Sequence, residues 1–192
     1  VPVIFTEQYP RGLGPTDPAL LAAAPGATVL EKTHFGVLSE PAAAAQFAVR
    51  LPFTPVPITL QTLFVALAGI MLGPRDGFIA MIAYLGAGLA GAPVFAGFSF
   101  GPWTLLGPTG GYLTAFPAAA LVSGAIAGRL GRSRGAVALA ALAGSGVILI
   151  AGASYLALLA GVPLGGAFLM GMLPFAAGEL AKAAVASCVA AR

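Results

Sequence analysis

Glu179 and Lys182 are the only charged side chains between Arg134 and Arg192, and they stand among alanines, leucine and glycine. A charge placed in lipid costs several kcal/mol, so an ionisable pair in such a stretch faces a protein interior or a cavity and marks a site. Three residues apart, the two share one helix face. Together an ammonium and a carboxylate can hold a small polar ligand by both donors and acceptors. They can equally form a structural ion pair, and Glu179 also suits the positive N-terminus of a helix.

Three further stretches carry polar or backbone chemistry. In Pro52-Phe53-Thr54-Pro55-Val56-Pro57-Ile58-Thr59-Leu60-Gln61-Thr62 the prolines impose an extended chain that presents Thr59 and Gln61 as hydroxyl and amide partners. The plainer reading of Thr59 is a cap for the orphan N–H groups of the following helix. In Gly107-Pro108-Thr109-Gly110-Gly111-Tyr112 the glycines permit close approach, by a ligand or by a neighbouring helix, and Tyr112 can wall a ring. Phe95, Phe98, Phe100 and Trp103 make an aromatic loop, suited to a lid over a pocket or to anchoring at a membrane interface.

Other chemistries lack their parts. A single cysteine, Cys188, and a single histidine, His34, give neither a disulfide nor metal-ligand spacing. An enzyme using Glu179 as a base would need a nucleophile or metal beside it, and Cys188 lies six residues past Lys182. No catalytic or metal-binding residue is therefore assigned. The phosphate-binding pattern G-x-x-x-x-G-K-[ST] does not occur.

The elements that must position these residues are membrane helices. Of 192 residues, 59% are hydrophobic and 8% charged, against about 25% charged in soluble domains. Mean hydropathy is +0.98. The 27 glycines and 16 prolines fit closely packed transmembrane helices. The net charge of +3 comes from scattered basic residues; their one cluster, Arg129, Arg132 and Arg134, reads as a cytoplasmic loop in contact with lipid headgroups, not as a nucleic-acid stripe.

Along the chain, residues 1–34 are polar, Pro-rich and aperiodic and are expected to be poorly ordered, with no signal-peptide pattern and a first residue that is not Met, as in a processed or fragmentary start. Residues 35–192 form a single transmembrane domain. Spans are expected at Phe35–Leu51, broken by Glu40-Pro41, and at Ile58–Leu72, Gly77–Gly91, Thr109–Leu130, Ala136–Ala160 and Phe175–Ala191, with a re-entrant or interfacial helix between Val162 and Leu173. The basic loops follow the second and fourth of these, whereas 92–108 and 161–174 are uncharged. Positive-inside logic then puts both termini in the cytoplasm and the Pro-rich, aromatic and Gly-Gly-Tyr stretches outside. A last span starting near Phe175 would hold Glu179 and Lys182 only ~6–11 Å below its outer end.

The Pro52–Thr62 stretch resembles the BioY family, the biotin-specific substrate-binding (S) components of energy-coupling factor (ECF) transporters. So do Leu72-Gly73-Pro74-Arg75, Gly91–Gly97, Gly107–Tyr112 and Leu173-Pro174-Phe175 with Gly178–Lys182, all in family order over Leu51–Arg192. The resemblance implies an all-α integral membrane protein, a six-transmembrane-helix bundle of the bacterial plasma membrane that captures biotin and is not an enzyme. It implies as partners a transmembrane coupling (T) component and ATPases, which use the ATP; the chain itself needs no cofactor. Glu179, Lys182, Gln61, Thr59, Gly110, Gly111, Tyr112 and Phe95 would surround biotin, its rings toward the Pro-rich first loop and Glu179 and its carboxylate toward Lys182. Ala42, Ala44, Ala45 and Ala48 would dock on the coupling component, although small-residue helix packing explains their spacing as well. The family's usual Asp is Glu at 179, one methylene longer. Capture of another water-soluble vitamin, or a purely structural membrane role, are the alternatives.

Overall fold

The computed structural model describes residues 56–191, together with Ala22 and three short upstream strands, β1 (Ile4–Gln8), β2 (Thr28–Lys32) and β3 (Ala48–Val49). β1 and β2 pair in parallel, within the stretch expected to be poorly ordered; the rest of that stretch lies outside the described residues. β3 pairs antiparallel with β4 (Ile58–Thr59), Ala48 opposite Thr59 and Val49 opposite Ile58.

This pairing corrects the sequence reading at two points. The expected first span is not helical at Ala48–Val49, and the next begins at Gln61 instead of Ile58. Prolines at 52, 55 and 57 lack an N–H and bias their predecessors to extended backbone, so the flanking residues pair as strands. A helical spacing running through Ala42, Ala44, Ala45 and Ala48 therefore does not reach Ala48; the other three lie outside the described residues.

From Gln61 onward the chain is helical: α1 (Gln61–Leu72), α2 (Pro74–Leu89), α3 (Pro102–Leu106), α4 (Gly110–Thr114), α5 (Phe116–Leu130), α6 (Arg134–Ala160), α7 (Leu164–Gly171) and α8 (Ala176–Ala190). The expected span Thr109–Leu130 is two helices, because Pro117 in the first turn of α5 has no N–H to continue the ladder from α4. α6 starts on a Ser133 cap, whose hydroxyl accepts from the Ala136 N–H, and ends at left-handed Gly161. The expected short helix before the last span is α7, which packs along α6 and enters α8 through a 3-10 turn at Leu173–Phe175.

Among the described residues two stretches, Arg134–Ala160 and Leu164–Ala190, are long and apolar enough to cross a membrane. The outward faces are themselves apolar: Leu158 is 84% and Trp103 80% exposed, and Ile79, Ile82, Leu169 and Val189 also point away from the bundle. In water such a surface would drive association, whereas lipid tails cover it.

The interior is graded. At one end Leu63, Ala66, Ile70, Val137, Ala140, Ala183 and Ala186 pack α1, α6 and α8 tightly. At the other the buried side chains are larger: Phe95, Tyr112, Phe116, Leu149, Leu156 and Phe175. α1, α2 and α5 meet through glycine: a Cβ on Gly69 would strike the Ala120 carbonyl. The space for a ligand is consequently at the aromatic end.

Candidate ligand-binding site

A cavity of about 340 Å³ opens among the N-terminal parts of α1 and α8, α4, the middle of α6 and the loop before α3. That volume lies at the small end of the range for small-molecule pockets. Its wall is mainly apolar (Val56, Leu113, Phe116, Ile148, Leu149, Phe175); polar groups come from Thr59, Gln61, Thr62, Glu179 and Lys182, and further hydroxyls from Ser99, Thr104 and Thr109.

α8 begins at Ala176, so its first two turns carry Glu179 and Lys182 on one face, both buried. Lys182 Nζ donates to Glu179 Oε1 at 2.6 Å. Thr62, in the first turn of α1, bridges the pair: its hydroxyl accepts from Lys182 at 2.9 Å and donates to Glu179 Oε1 at 2.9 Å. Ser145, in mid-α6, donates to Glu179 Oε2 at 2.6 Å. Three helices thus converge on one carboxylate, and the buried charges are paired and hydrogen-bonded, as burial requires.

Gln61 lies one residue earlier on α1 and is buried. Its amide nitrogen stands 2.8 Å from the Tyr84 hydroxyl and 3.3 Å from the Val94 carbonyl. A carbonyl only accepts, so the NH2 group faces Val94 and the amide oxygen is what Gln61 can offer a ligand. Tyr84 also donates to Val94 O, at 2.6 Å, which ties the loop after α2 to the start of α1. Thr59 accepts from the Gln61 N–H at 3.3 Å, so its capping role at α1 is realised while it also lines the cavity.

Tyr112 forms a wall. Its ring lies against Gly152 of α6 and its hydroxyl donates to Gly171 O at 2.8 Å. The three remaining candidates face elsewhere and do not line the cavity. A Cβ on Gly110 would run into the Leu105 carbonyl, and one on Gly111 into Tyr155, so both glycines serve helix packing. Phe95 is fully buried, edge-on to Tyr84 at 5.7 Å and pressed against Gly88; it belongs to the core, whereas Phe100 of the same loop and Trp103 of α3 are exposed.

The model of the BioY family matches residues 35–192. The chain belongs to the BioY family. It is 46% identical over 138 residues to a probable biotin transporter BioY of Pyrococcus horikoshii, covering 72% of this chain and 80% of that one. It is 37% identical over 144 residues to the biotin transporter BioY of Thermotoga maritima, covering 75% and 84%. Among solved structures it resembles the S-component for biotin from an ECF-type ABC transporter, with a TM-score of 0.69 at 30% identity over 74% of this chain and 78% of the other. The chain is thus a mostly helical membrane protein with the S-component fold.

Within this BioY-family site, sequence reading misses Thr62, Ser145 and Tyr84. Thr62 is adjacent to residues already singled out and falls on the side of α1 that faces Glu179. Ser145 carries a signal, since it is one of only two serines in the apolar α6 and sits between two glycines. Nothing local marks Tyr84, whose role depends on the fold bringing Val94 back to α1.

Proposed function

We propose that this chain is the S component of an ECF transporter, capturing biotin from outside and releasing it inward in a complex with a T component and ATPases. The observation that carries the reading is the buried Glu179–Lys182–Thr62 group in an otherwise apolar cavity. Bonds within the chain use two of the three N–H groups of Lys182 and about three of the four acceptor positions of Glu179. One donor of Lys182 and one acceptor position of Glu179 remain.

A ureido ring offers the complement, an N–H beside a C=O. The ion pair is neutral as a unit, so a neutral ring adds no net charge, whereas a ligand carboxylate on Lys182 would leave a buried net negative charge. We therefore place the ureido ring on both residues. This keeps Glu179 on the ring, as read from the sequence, and moves Lys182 from the carboxylate to the ring carbonyl. The valerate carboxylate then points to the hydroxyl-bearing rim of Ser99, Thr104 and Thr109, and Phe116, Ile148 and Phe175 pack on the apolar thioether ring.

In this reading the aromatic end of the bundle faces outside, both termini are cytoplasmic, and the bundle has six spans. Ala42, Ala44 and Ala45, small residues that allow close approach, dock on the T component. The chain performs no covalent chemistry; ATP hydrolysis in the partners shifts it between states of different biotin affinity. Uptake of labelled biotin by a biotin-requiring host tests the proposal. Accumulation should require this chain and rise with the T component and ATPases; no uptake above the host background with all subunits present would refute it.

A further inference from the structure

We infer that Ser145 is a positioning residue, one that holds the Glu179 carboxylate in its ligand-receiving orientation without touching the ligand. The inference rests on the biotin-binding reading above and deepens it. Ser145 is buried, and it is absent from the cavity lining although Ile148 and Leu149 of the same helix are present. Whatever it does for a ligand passes through its neighbour. A serine inside an apolar helix commonly returns its hydrogen bond to the carbonyl one turn back. Ser145 instead spends its single hydrogen across the helix interface, on Glu179 Oε2 at 2.6 Å, within the short range of charge-assisted bonds.

The geometry of the carboxylate gives that bond its purpose. Oε1 is engaged by both Lys182 and Thr62. Ser145 is the strong partner of Oε2, which Thr62 approaches only at 3.1 Å. Without Ser145 the carboxylate is free to rotate and present both oxygens to Lys182. That rotation would consume the remaining N–H of Lys182 and turn the remaining acceptor position away from the cavity.

Biotin titration into the purified full chain in detergent, with S145A, S145C, E179Q and S145A/E179Q, tests the assignment. Loss of a hydrogen bond to a charged group corresponds to a roughly 10- to 100-fold weakening for S145A. S145C, near-isosteric with a weak donor, should fall between S145A and wild type. S187A, which alters an exposed hydroxyl on α8, should bind as wild type does. In the E179Q background S145A should add less than about a twofold loss, because the oxygen it positions is no longer charged. Wild-type affinity in folded S145A, or the same loss in both backgrounds, would overturn the proposal. Failure of the wild-type chain to bind biotin would instead refute the biotin reading. The same cycle followed by thermal unfolding then still decides Ser145, since coupled losses support the contact and strictly additive losses overturn it.

Discussion

Thr62 Oγ1 lies 2.9 Å from Lys182 Nζ and accepts its hydrogen bond while donating its own to Glu179. One hydroxyl thereby fixes the distance between α1 and α8 at the point where the ligand cavity begins. Replacing it by the near-isosteric valine removes two bonds to charged groups and keeps the volume. T62V should weaken biotin binding by about 1.5–3 kcal/mol, and T62S should retain most of the affinity. Parallel titrations of the two variants check this, equal affinities for T62V and T62S being the adverse result.

Lys182→Ala leaves Glu179 buried without its cation. Binding should weaken by roughly 2–5 kcal/mol, whereas Ser187→Ala leaves it unchanged. The penalty should persist with biotin methyl ester as ligand, because Lys182 is assigned to the ureido carbonyl. A penalty that disappears with the ester would return Lys182 to the carboxylate.

Tyr112 is clamped by Gly152 and by its hydrogen bond to Gly171. Gly152→Val should push the ring toward the cavity and abolish biotin binding in a chain that still elutes as a folded monodisperse species. Tyr112→Phe keeps the ring and should cost only about 0.5–1.5 kcal/mol of stability, read as a lowered unfolding temperature with affinity nearly intact.

At the opposite end of α1, Arg132 Nη2 donates to the carbonyls of Ile70 at 2.9 Å and Met71 at 3.1 Å. These belong to the last turn, where carbonyls have no intrahelical partner. The loop between α5 and α6 therefore caps the helix whose first turn holds Gln61 and Thr62. Arg132→Ala should lower thermal stability more than Arg129→Ala does. Equal unfolding temperatures would show that the cap contributes nothing.

Much of this architecture is legible in the amino-acid sequence. Hydrophobic runs locate α1, α2, α6 and α8 to within a few residues, and the rarity of charge in them singles out Glu179 and Lys182. Proline alters the rest: the prolines at 52–57 give paired strands where helix is expected, and Pro117 splits one span into α4 and α5. Gly110, Gly111 and Phe95 show a limit of local reading. A glycine that admits a ligand and one that admits a helix look alike in sequence, and only the packing of Leu105 and Tyr155 distinguishes them. Ser145 and Tyr84 are hidden for the converse reason, since their partners are 34 and 10 residues away along the chain.

The most direct test is equilibrium binding of biotin to the purified chain in detergent, with Trp103 fluorescence or calorimetry as the readout and thiamine and riboflavin as controls. The account predicts saturable binding of one biotin per chain, unaffected by either control vitamin and weakened in the Lys182→Ala and Thr62→Val variants. A folded chain that ignores biotin, or binds all three vitamins alike, would contradict it.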